Sequence, residues 1–176
     1  MGSEVIIAAI SALIGALVGF ITHRGVTSQE RARKQQYFSD LRQWADEAVN
    51  ILSEAVHICE IDPSLCEAPS FFNRRHKLKV NISSLIDRGR WFFPNLKHTE
   101  YGEWKPEAYK GFRHPALDSL IYTYKAIHNM DYSNGEKNKQ FREPLVAVKK
   151  EFVSEIQRRL DPRKAQEEYG RAMRQE

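Results

Sequence analysis

Between Arg88 and Asp118 the chain sets basic and aromatic side chains next to one another. The stretches "RGRWFFPN" and "YKGFRHPALDSL" supply Arg88, Arg90, Arg113 and His114, with His98, Lys105 and Lys110 between them. Trp91, Phe92, Phe93, Tyr101, Trp104, Tyr109 and Phe112 are interleaved with these cations. Guanidinium and ammonium groups neutralise phosphates, and aromatic faces stack on unpaired bases. Arg88, Arg90, Arg113 and His114 are therefore candidates for contact with RNA or a protein partner. In the competing account the aromatics close the end of a helical bundle and the cations stay in solvent. Arg113 and Asp118 then form an ion pair within or between subunits.

Other chemistry is thin. His57, Cys59 and Cys66 are metal-binding types, but no fourth ligand stands at a recognisable spacing and Cys59 falls on an apolar helix face, so no metal is assigned. The six histidines make no Ser-His-Asp or Cys-His pattern, and no phosphate-cradling glycine loop or HExxH motif is present. No catalytic residue, cofactor or small-molecule substrate follows, and the chain does not read as an enzyme. Two cysteines are too few for a disulfide framework. A net charge of +4 over 176 residues suits anionic lipid or RNA without choosing between them.

The N-terminus raises a different question. Residues 5–22 carry no charge, and a helix of that length is about 27 Å long, enough to span a bilayer core. Ser11, Gly15, Gly19 and Thr22 form a small-residue stripe for helix contact or pore lining. His23 and Arg24 mark a cytoplasmic pore mouth. Arg24, Arg31, Arg33, Lys34 and Arg42 follow the apolar segment, and "MGSE" before it has no Lys or Arg. The positive-inside rule thus places residues 23–176 in the cytoplasm and the N-terminus outside.

The elements that position these residues read as helices. Over residues 27–61, Phe38, Leu41, Ala45, Ala48, Leu52, Ala55 and Cys59 recur at three/four spacing, and Tyr37, Trp44, Ile51 and Ile58 widen the stripe. Thr27 or Ser28 caps its start, and Asp62-Pro63 stops it. Trp44, Leu41 and Leu52 are assigned to subunit or bundle packing. Helices are predicted over 70–92, 115–130 and 139–160, with an ordered loop over 93–115 and a turn at "DYSNGEKN". Arg74, Arg75, Lys77 and Lys79 are placed on a solvated face. The predicted fold is all-α: an N-terminal single-pass transmembrane helix (1–26) followed by a cytoplasmic four-helix bundle (27–176).

A spanning helix on an all-helical cytoplasmic domain, in a chain of 20.5 kDa, resembles the small membrane accessory protein of type VI-B CRISPR systems. The resemblance implies a homo-oligomeric pore that perturbs the bacterial inner membrane and enhances antiviral defence. Its implied partners are further copies of itself, membrane lipid, and an RNA-guided RNase or its RNA products. It also implies a divergent HEPN-like domain. HEPN ribonucleases place an Arg a few residues ahead of a His, and none of the histidines here has an Arg at that spacing. This departure counts against ribonuclease activity and leaves the helical bundle, and any binding role, untouched. Two further readings stand beside the pore: a membrane-tethered RNA-binding or HEPN-like nuclease module, and a membrane scaffold recruiting a partner.

Overall fold

The computed structural model describes residues 2–67, 69–96 and 101–161, with side chains described from Gln29 onward. It contains helices α1 (Gly2–Ile58), α2 (Ser70–Gly89), α3 (Pro115–His128), α4 (Gly135–Lys139) and α5 (Arg142–Leu160), with 3-10 turns at Pro63–Leu65 and Glu107–Tyr109. The fold is all-α. Among the described residues, strand-like pairing is limited to an isolated bridge between Leu96 and Phe112. The chain divides into two units, Met1–Asp40 and Leu41–Glu176.

The predicted membrane helix and inner-membrane location need correction. Among the described residues, no helix is long and apolar enough to cross a membrane. Residues 5–22 belong to one uninterrupted helix that runs on to Ile58, so no cap at Thr27 or Ser28 starts a second one. Gly25 does not break it, because a single interior glycine costs only about 1 kcal/mol relative to alanine. The side chains of Ser11, Gly15, Gly19, Thr22, His23 and Arg24 lie outside the described residues.

In the first unit, Tyr37 and Phe38 meet edge to face at 5.6 Å, and Gln36 donates to Asp40 over one helical turn. The second unit holds the core. Along α1, Leu41, Trp44, Ala45, Ala48, Leu52, Ala55, Ile58 and Cys59 are buried. Burial pushes the Cys59 thiol up to about 11. The helix ends before Asp62, whose carboxylate accepts from the Ser64 N–H and hydroxyl and starts the 3-10 turn.

Helix α3 packs against both α2 and α5. Leu78, Ile82 and Leu85 of α2, Leu117, Leu120 and Ile127 of α3, and Leu145, Phe152 and Ile156 of α5 fill the space between them. Trp44 ties these elements together. Its indole N–H donates to Leu85 O at 3.0 Å, and its ring lies 5.6–5.9 Å from Phe92, Phe93 and Phe152. Gly89 permits the contact: a Cβ there would sit 2.5 Å from Leu117 Cδ2 and 2.6 Å from Trp44 Cζ2.

Two local expectations change. The turn at 131–138 contains a short helix capped by Asn134. It is fastened by the fully buried Asn138, which accepts from Asp131 N–H and donates to Asp131 O. Donation from the Ser133 N–H and hydroxyl lowers the Asp131 carboxyl to about 2. Arg75 is not on a solvated face: it is 7% exposed. It donates to Met130 O at 2.6 Å and His128 O at 3.3 Å, satisfying carbonyls at the end of α3, where the helix dipole favours a cation.

Candidate functional site

The connection from α2 to α3 is long, and its described residues are fastened at several points. Arg90 does much of the anchoring. Its side chain is 10% exposed, donates to Asn95 Oδ1 at 3.1 Å and Ala108 O at 3.3 Å, and lies 4.1 Å from the centre of the Tyr109 ring. Asn95 in turn donates to Lys110 O at 3.0 Å, and the Tyr109 hydroxyl donates to Asp87. Leu96 and Phe112 exchange two backbone hydrogen bonds, and Gly111 N–H donates to Tyr101 O. Gly102 and Gly111 turn the chain with φ of 80° and 76°, a region that penalises a Cβ.

These ties leave a cleft of about 280 Å³ lined by Arg90, Asn95, Tyr101, Lys105, Tyr109, Gly111, Phe112, Arg113 and Asp118. Tyr101 and Phe112 stack in parallel with centroids 4.7 Å apart. The Lys105 ammonium stands over Tyr101 at 4.9 Å and Trp104 at 5.5 Å. Arg113, a third exposed, pairs with Asp118 at 2.7 Å. Cations held over aromatic faces keep their charge while losing part of their hydration. Trp91 and Trp104 of the same connection are 75% and 78% exposed.

The candidate cations separate into two sets. Arg90 and Arg113 line the cleft, whereas Arg88 and His114 do not. Arg88 pairs with Glu47 and lines a different hollow of about 320 Å³ with Asn50, Ile51, Asn81, Ser84 and Leu85. His114 caps α3: its Nδ1 accepts from Ala116 N–H at 3.2 Å, and its ring packs 4.6 Å from Phe93. Burial lowers its pKa and favours the neutral ring, which the accepting Nδ1 requires. Trp44, Leu41 and Leu52 are buried in the bundle. His98 lies outside the described residues.

The Nε atoms of Arg88, Arg90 and Arg113 are buried without a hydrogen-bond partner among the described residues. Two cleft residues escaped the sequence reading: Asn95 as a clasp, and Asp118 as part of the lining as well as Arg113's partner. The signal for Asn95 is weak, because a Pro-Asn pair after an aromatic run reads as an ordinary turn. No group of three or more metal-ligating side chains occurs among the described residues. Comparison with protein-family models, curated proteins and solved structures returned no match.

Proposed function

We propose that the 41–161 region is a helical module that binds single-stranded RNA through the α2–α3 connection. The observation that carries this reading is the cleft itself, where Arg90, Lys105 and Arg113 stand among Tyr101, Tyr109 and Phe112. Exposed Trp91 and Trp104 extend the aromatic surface on the same connection. Single-strand binders combine these two ingredients: cations for phosphate and ring faces for bases. The bundle supplies a rigid base, since Trp44 packs directly against Phe92 and Phe93 at the start of the connection.

The test is fluorescence polarisation of a labelled single-stranded RNA with the full chain over a range of salt. Binding is expected to weaken log-linearly with salt, by about 0.7 per phosphate contacted. Tryptophan emission should fall on binding. The Lys105→Glu, Arg113→Glu double variant should abolish the polarisation change while keeping helical content. Absence of salt-dependent binding at low ionic strength would retire the reading.

A further inference from the structure

We infer that the cleft is a guanine-selective single-nucleotide site, with Asp118 reading the base and Lys105 and Arg113 holding the phosphate; this rests on the nucleic-acid reading above. The volume is the first reason. About 280 Å³ is at the small end of ligand pockets, enough for one nucleotide and too small for several. A strand lying across the connection can therefore place one base in the cleft and stack others on the exposed tryptophans.

The second reason is the acid among the described residues of the lining. A site built only to attract phosphate has no use for a carboxylate, which repels it. Asp118 lies in the first turn of α3, and its side chain is 56% exposed. Its Oδ1 accepts from Arg113, and its other oxygen has no hydrogen bond among the described residues. An ionised carboxylate is an acceptor with about four lone-pair sites, so the Arg113 bond leaves it free to accept more. Guanine presents two adjacent donors, N1–H and the N2 amine, matching the two carboxylate oxygens. Adenine and cytosine offer only their amine on that edge, and uracil only N3–H. Flipped or unpaired bases are read on this edge while their faces stack on aromatic rings. Here Tyr109 supplies the ring, because Phe112 and Lys105 already cover Tyr101. Arg113 holds the Asp118 carboxylate in place, so the same pair positions the reader and contributes charge for phosphate.

The experiment is calorimetric titration of the full chain with GMP, AMP, CMP, UMP and inorganic phosphate, beside polarisation with a uracil-only RNA. GMP is expected to bind at least about tenfold more tightly than the others, as one extra charged hydrogen bond provides. Asp118→Asn keeps an acceptor for Arg113 but replaces one acceptor oxygen with a donor. It should erase the GMP preference with helical content unchanged. Equal binding of all four monophosphates, or a preference that survives Asp118→Asn, overturns the inference. Uracil-RNA binding without any GMP preference leaves the RNA reading standing and removes the guanine site. A GMP preference lost in Asp118→Asn, with no RNA bound, supports the guanine site and removes the RNA reading.

Discussion

Helix α2 has an arginine over a tyrosine near each end, and the two pairs serve opposite ends. Near its N-terminus Arg75 lies 3.9 Å from the Tyr132 ring centre, and its guanidinium is used up on the carbonyls of His128 and Met130. Just past its C-terminus Arg90 lies 4.1 Å from the Tyr109 ring centre. There the guanidinium pins a loop, and the cleft beside it retains Lys105, Arg113 and Asp118. The difference teaches that a buried arginine signals ligand binding only where cationic capacity remains around it. At Arg75 the cation finishes a helix end; at Arg90 it builds the floor of an opening.

The comparison breaks most visibly through Arg75. Arg75→Ala strands two carbonyls and should cost about 2–4 kcal/mol of stability, seen as a lowered denaturant midpoint. RNA affinity per folded molecule should not move; if it falls in parallel, the two ends are not functionally distinct. Gly89→Ala comes next. Its Cβ would press on Leu117 and Trp44, and overpacking of this kind costs about 1–3 kcal/mol. A thermal melt should show that loss despite alanine's better helix propensity.

At the open end, effects should appear in binding and leave stability alone. Trp104→Ala should remove about 1–3 kcal/mol of RNA affinity by losing a stacking face, with an unchanged melt. Lys105→Ala should lower the salt slope by about 0.7, the share of one phosphate contact. A melting shift in either variant would mark these side chains as structural, like Arg75.

The smallest effect concerns His114. Its folded-state pKa lies below the ordinary value of about 6.5 because burial disfavours the charged ring. The unfolded chain therefore binds the proton more readily. The stability this provides is complete above about pH 6.5 and declines as pH falls through the lowered folded value. His114→Asn keeps a cap acceptor for Ala116 and should flatten this part of the stability–pH profile, measured by urea titrations at stepped pH.

Much of the bundle was legible in the chain. The three/four spacing of Leu41, Ala45, Ala48, Leu52 and Ala55 matches their burial, because helical periodicity is written directly in sequence order. Pro115 at the head of α3 and Asp62-Pro63 after α1 marked boundaries, since proline acts locally on the backbone. The all-α class and the interleaving of cations with aromatics over 88–113 were readable for the same reason.

Partnership was not. Sequence order grouped Arg88, Arg90, Arg113 and His114 as one set, and placed Arg75 among solvated cations. Only the tertiary structure sent Arg88 to Glu47, His114 to the cap of α3 and Arg75 to the end of that helix. It also brought Asp118 into the lining of the cleft with Arg90 and Lys105. It likewise replaced the predicted break near residue 26 with a continuous α1, because one glycine's local cost is too small to end a long helix. Spacing decides which face a side chain occupies, whereas what stands opposite that face depends on contacts between residues far apart in the chain.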